Sequence, residues 1–130
     1  MMKKVRVVGA VIINSEKKVL CAQRSENMSQ PLLWEFPGGK IEKTETASEA
    51  LIREIKEELD CDIQVGELLT DIMHEYTNII VNLITYRAKI ISGQPVAKEH
   101  ADLIWLSINE LPMLNWAPAD IPTLNILINE

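Results

Sequence analysis

A helix with both of its ends written into its side chains lies within GGKIEKTETASEALIREIKEELDC, residues 38–61. Thr46 supplies an N-cap, and Glu49, three residues later, completes a capping box that satisfies two otherwise orphaned backbone donors. Asp60 and the change of pattern beyond it mark the end. On a wheel of about 100° per residue, Leu51, Ile55 and Leu59 form one apolar stripe, which must face a core. Glu54, Glu57 and Glu58 flank that stripe within roughly 100° of arc, at the edge of the buried side.

That placement is costly for an ordinary helix. Glu54 and Glu58 are a like-charged i, i+4 pair, worth a few tenths of a kcal/mol of repulsion. Negative charge near a helix C-terminus also opposes the macrodipole. Lys56 points elsewhere, and only Arg53, at i, i+4 to Glu57, offers local compensation. Such a cluster becomes favourable when a hard divalent cation binds, because Mg²⁺ takes oxygen ligands and keeps substrate phosphates as further partners. The competing reading is a solvated charged face. Just upstream, Gly38-Gly39 allows a ligand to approach the backbone closely, although a Gly-Gly pair is equally a plain turn. Pro37-Gly38-Gly39 is expected to interrupt regular structure.

Around the helix the pattern is mostly of strands. VRVVGAVIIN (5–14) and VLCAQR (19–24) read as a pair joined by the polar turn NSEKK, and SENMSQPLL as a loop. VGELLTDIMHEY and IIVNLITYRAKII read as two longer strands joined near Thr77-Asn78, and DLIWLS as another. Ser107 with Glu110 is a second capping box, and ADIPTLNILINE an amphipathic C-terminal helix. With 47% hydrophobic and 25% charged residues, the 130-residue chain can bury one substantial core. We therefore expect one domain over residues 1–130, of α/β (α+β) class, with a mixed sheet between two to three helices.

Charge narrows the function classes. A net charge of −6 and a pI near 5.0 argue against a nucleic-acid binder, which needs a basic face to neutralise phosphates. A polyanionic small molecule would need metal ions to supply positive charge. Cys21 and Cys61 are far apart, without metal-ligand spacing, and read as reduced core thiols. No apolar run approaches the ~20 residues of a membrane span, and no small-residue cleavage site follows the N-terminal apolar run. A cytoplasmic location is expected by default.

Five residues separate Gly39 from Glu45, seven more precede Arg53-Glu54, and an apolar Ile55 and one further residue lead to Glu57-Glu58. This pattern resembles the Nudix box, the signature of hydrolases of nucleoside diphosphates linked to another moiety. WEFPGGK, AQR and APADIP extend the similarity over nearly the whole chain, towards the MutT and CTP pyrophosphohydrolase type. One departure is Asp60, which stands where the box has Gly; Asp tolerates the left-handed conformation better than most residues.

The resemblance implies a Nudix-type α/β/α sandwich and a metal-dependent nucleoside triphosphate pyrophosphohydrolase. It places Glu54, Glu57 and Glu58, with the Gly39 carbonyl, on Mg²⁺ or Mn²⁺. Arg53 would orient carboxylates through Glu54 or Glu45, and Glu45 would be structural. Glu99 would be a further metal ligand or general base, its alternative being a solvated loop charge. Arg24, Phe36 and Asp120 would contact the base, with Gly38 and Lys40 also in the substrate-binding set. Asp120 stands where MutT has Asn. Ionised, it only accepts, which suits an exocyclic amine such as cytosine N4; protonated, it also donates, and oxidised guanine becomes readable. A cytidine-type triphosphate is expected first and 8-oxo-dGTP second; the other reading of Asp120 is an N-cap of the last helix, and both roles could coexist. Two rival readings are an ADP-ribose-type hydrolase and a silent nucleotide-binding module, the latter disfavoured because every box glutamate is present. The partner is a small-molecule nucleotide, with no nucleic acid or membrane, for a monomer or weak homodimer. His74 and His100 read as isolated histidines and Trp105 and Trp116 as core residues; Met28, in the polar loop before the box, could border the pocket but is not counted in the site.

Overall fold

A computed structural model describes residues 2–130. Seven strands and two α-helices follow the order β1 (Lys3–Ile12), β2 (Lys18–Gln23), β3 (Trp34–Glu35), β4 (Gly38–Lys40), α1 (Ala47–Leu59), β5 (Asp62–Glu75), β6 (Ile79–Ser92), β7 (Asp102–Ser107) and α2 (Ile121–Ile128). Short 3-10 turns at Ile108–Met113 and Pro118–Asp120 lead into α2. The strands form a four-stranded sheet, β4-β1-β6-β5, and a three-stranded sheet, β3-β2-β7. The larger is mixed, since β1 and β6 run parallel while β1–β4 and β5–β6 are antiparallel.

β1 explains how the layers form. Strand side chains alternate between faces, so Val8, Ala10 and Ile12 point one way and Val11 the other. The first set packs with Ala50, Leu51, Ile55 and Leu59 of α1. Val11 instead joins a second cluster with Phe36, Trp116, Leu124 and Leu127, beneath α2. Helices thus cover both faces of the sheet, the expected sandwich. The hydroxyls of Thr70, Thr85 and Thr123, all buried, bond one another at 2.6–3.1 Å and tie α2 to β5 and β6. Cys21 and Cys61 are buried free thiols, and burial pushes the Cys21 thiol up to about 12.

Both capping boxes form, at Thr46/Glu49 and Ser107/Glu110, although the second opens a 3-10 turn rather than an α-helix. Asp60 ends α1 in the left-handed region, at φ 57° and ψ 38°. The expected break at Pro37-Gly38-Gly39 is overturned. Gly38–Lys40 forms β4, because Val7, Val8 and Gly9 of the neighbouring edge offer it antiparallel partners. A Cβ on Gly38 would run into the backbone carbonyl of Val8, so the strand depends on glycine there.

Candidate active site

The helix arginine organises the acidic cluster. Arg53 donates from Nε and Nη2 to the two Glu45 oxygens at 2.6 and 2.8 Å, a bidentate fork. Its Nη1 donates to Glu54 at 2.8 Å and to Glu57 at 3.2 Å, and Nη2 also reaches the Lys40 carbonyl at 3.0 Å. One planar side chain therefore joins the segment before α1, the end of β4 and two glutamates of α1. The Arg53 hydrogen bond, aided by the Glu42 backbone N–H, holds the Glu45 carboxyl down at about 2. Lys56 pairs at 3.7 Å with Asp62, away from the cluster.

Glu58 lies on the other side of the cluster. Burial, followed by the carboxylates of Glu54, Glu99 and Glu35, pushes its carboxyl up to about 8. Glu54 is 13% exposed at its side chain and Glu57 59%, so the wheel's arc spans a buried and a solvated position. Glu99 is exposed on the β6–β7 loop. That loop also caps α1: Val96 N–H donates to the Leu59 carbonyl at 2.8 Å and Lys98 N–H to that of Glu58 at 3.4 Å, satisfying backbone acceptors a helix end leaves open.

The donor set fits a hard divalent cation. Glu35, Glu54, Glu58 and Glu99 offer only carboxylate oxygens, and their mutual repulsion is what a cation relieves. A Cβ on Gly39 would collide with the Glu54 carboxylate, so glycine leaves that carboxylate its place against β4. Among the described residues, no three His, Cys, Asp or Glu side chains already stand in a metal-ready cluster. Glu54 is turned to Arg53, and Glu57 projects towards solvent.

A cleft of about 730 Å³ runs from this cluster across the open side of β1 and β6 to the turn before α2. Gly38, Gly39, Lys40, Glu54 and Glu58 line it, together with Arg24, Phe36 and Asp120. Arg53, Glu45, Glu57 and Glu99 lie outside its lining. Phe36 takes part mainly through its backbone. Its ring is 3% exposed and packs on Trp116 at 4.7 Å between centroids, while its N–H donates to Asp120 Oδ1 at 3.1 Å. Arg24 is engaged by Glu35 at 2.6 Å and by the carbonyl and hydroxyl of Ser29 at 2.6 and 3.1 Å. Asp120 sits at the N-cap of α2 but makes no capping bond, so that alternative falls. Its complete burial, with Glu35 nearby, raises its carboxyl well above the ordinary aspartate range. Tyr76 Oη accepts the Ala119 N–H at 3.0 Å and steadies this turn.

Met28 borders the cleft, as do Glu35, Tyr76 and His100, which sequence reasoning passed over. The signal for Glu35 was the alternation in Trp34-Glu35-Phe36: both aromatics join the lower core, leaving Glu35 to face the other way. His100 gave no such signal. It is buried, with Nε2 2.9 Å from Glu35 Oε2.

Comparison with known proteins gives a consistent result. The family model for the NUDIX domain matches residues 3–125. The chain is 41% identical over 123 residues to the CTP pyrophosphohydrolase of Escherichia coli K12, covering 95% of this chain and 90% of that one. It is 31% identical over 128 residues to the 8-oxo-dGTP diphosphatase of Haemophilus influenzae, covering 98% and 94%. Among solved structures, a MutT protein of the Nudix hydrolase family from Staphylococcus aureus superposes with a TM-score of 0.80 at 54% identity, over 99% and 98% of the two chains.

Proposed function

The chain belongs to the NUDIX domain family and is a Nudix hydrolase, and from that premise we propose that it hydrolyses a nucleoside or deoxynucleoside triphosphate to the monophosphate and pyrophosphate. The observation that carries this reading is the cleft itself, whose lining joins the carboxylates of Glu54 and Glu58 with Arg24 and Asp120. A nucleotide laid along it puts its phosphates on the carboxylates and its base on Asp120. Residues 1–130 act in this reading as one domain.

Glu54, Glu57, Glu58 and the Gly39 carbonyl would hold a divalent cation, Mg²⁺ or Mn²⁺, with Glu99 as a further ligand or general base. Bound there, the cation supplies positive charge against phosphate oxygens and lowers the pKa of water. Arg53 fixes the direction of Glu54 and Glu57, and Glu45 fixes Arg53. A water oxygen bonds to the β-phosphorus, the bond from that phosphorus to the bridging α–β oxygen breaks, and a glutamate takes the water's proton. Lys40, at the rim, offers a charge for the phosphate tail.

Cytidine-type triphosphates are the first substrate class, supported by the similarity to a CTP pyrophosphohydrolase. Oxidised purines such as 8-oxo-dGTP are the second, favoured by Asp120: Phe36 N–H occupies Oδ1, burial raises the carboxyl well above the ordinary aspartate range, and its protonated form would present a donor from the other oxygen. Pyrophosphate release from CTP, dCTP, 8-oxo-dGTP and the ordinary triphosphates, with Mg²⁺ or Mn²⁺, tests both. Glu57→Gln and Glu58→Gln are expected to cost orders of magnitude in rate with little change in folding. Near-wild-type turnover in both variants would reject the assigned metal site.

A further inference from the structure

The loop between β6 and β7 holds Glu99 against Glu58, yet Glu99 itself is exposed, and its side-chain hydrogen bond to Glu58 joins two carboxyl groups that otherwise repel. Two backbone bonds to α1 and one from Ala101 N–H to the Gln23 carbonyl, at 2.9 Å, attach the segment. Among the described residues, the side-chain hydrogen bond that ties residues 93–101 to a group other than Glu58 comes from His100. Its imidazole is 1% exposed, and the Glu35 side chain that it meets is 15% exposed.

The imidazole is used at one nitrogen alone. Nε2 lies 2.9 Å from Glu35 Oε2, whereas Nδ1 is buried with no partner. A carboxylate only accepts, so Nε2 carries the hydrogen and donates. The other Glu35 oxygen accepts from Arg24 Nη1 at 2.6 Å, and Arg24 in turn grips Ser29 in the β2–β3 loop. Ser29-Arg24-Glu35-His100 is therefore one chain of charge-assisted bonds along the lining of the cleft. It runs from the nucleoside end to the residue next to Glu99, and links two loops that share no other side-chain bond among the described residues.

We propose that His100 is a positioning residue: by donating Nε2–H to Glu35 it sets the Glu99 loop over Glu58 and couples that setting to Arg24 at the nucleoside end of the cleft. The proposal rests on the hydrolase reading above and adds to it the group that holds Glu99 in place. Loss of an outer partner of this kind commonly costs about 10- to 100-fold in activity, and small displacements of reacting groups cost as much. A burden of that size on kcat, with a smaller change in KM, is expected for His100→Leu.

The unequal use of the two nitrogens gives a sharp test. A Gln side chain places its amide nitrogen about as far from Cα as Nε2, while Asn places its own nearer, like Nδ1. His100→Gln is therefore expected to recover most of the wild-type kcat for CTP or 8-oxo-dGTP with Mg²⁺, and His100→Asn to resemble Leu. In the Glu99→Gln background, His100→Leu should cost little more, since the two act as a unit. In metal-free protein, His100→Leu and His100→Asn should speed hydrogen exchange at the amides of Val96, Lys98 and Ala101, and Gln should restore protection. Equal behaviour of Gln and Asn in kcat and exchange, or independent multiplication of the His100 and Glu99 effects, would overturn the proposal. The Gln–Asn contrast decides alone should the Leu variant not fold. If instead wild-type protein releases no pyrophosphate, the hydrolase reading fails, and the exchange data still judge whether His100 holds the loop.

Discussion

Two adjacent glycines answer to different neighbours. A Cβ on Gly38 meets the backbone of Val8, which cannot move without disturbing β1, whereas a Cβ on Gly39 meets the carboxylate at the flexible end of Glu54. Gly38→Ala is therefore expected to destabilise the protein by about 1–3 kcal/mol through overpacking. Gly39→Ala should keep a near-wild-type Tm yet lose activity by roughly 10-fold or more, because it displaces Glu54. Denaturant melts and pyrophosphate release on both variants check this; equal loss of stability would show that Gly39 also braces the fold. Asp120 yields a second prediction at this scale. Its folded pKa is raised well above its ordinary 3.8, so the folded state holds the proton more tightly than the unfolded one. That contribution is complete below 3.8 and lost as pH rises through the raised value. Asp120→Asn stays neutral and can still accept the Phe36 N–H. The Tm difference between variant and wild type should widen in favour of Asn as pH rises from about 4 towards the raised value; parallel curves would contradict a raised carboxyl at this position.

At the scale of elements, the C-terminal turn of α1 carries the most consequence. Its carbonyls are capped by the β6–β7 loop, and its last residue hands over to Asp60 in the left-handed region. Asp tolerates that conformation at a cost that Gly avoids. Asp60→Gly should raise stability by at most ~1 kcal/mol and leave turnover unchanged, measured by melting and steady-state kinetics together. A large change in rate would mean that Asp60 does more than end a helix. Gly93, at φ +84°, lies close by, and a Cβ there would sit 3.1 Å from the Asp60 carbonyl. The helix end and the loop that carries Glu99 are therefore fitted to each other.

For the whole molecule, the cleft is built where the two sheets and the turn before α2 meet, so ligand binding ties together parts that separate on unfolding. A cation that binds only the folded state stabilises it by about 2.7 kcal/mol at a hundredfold excess over Kd. Mg²⁺ or Mn²⁺ should accordingly raise the Tm of wild-type protein above its value in EDTA, and Glu58→Gln should blunt the rise; an unchanged Tm with either ion would count against the carboxylate site. No helix among the described residues is long and apolar enough to cross a membrane. The sequence alone determined the elements whose signals are local: α1 with its Thr46 box, the alternating strands, the left-handed end at Asp60, and the spacing from Gly39 to Glu58. Such signals span a few residues, so they are legible wherever the rest of the chain goes. Only the tertiary structure decided that β4 forms, because its partners lie on β1, and that Phe36 offers its backbone while its ring fills the core. Only it joined Phe36 to Asp120 across 84 positions and Glu35 to His100 across 65. No periodicity records such pairs, because they exist only once two sheets have packed and a loop has closed over their shared edge.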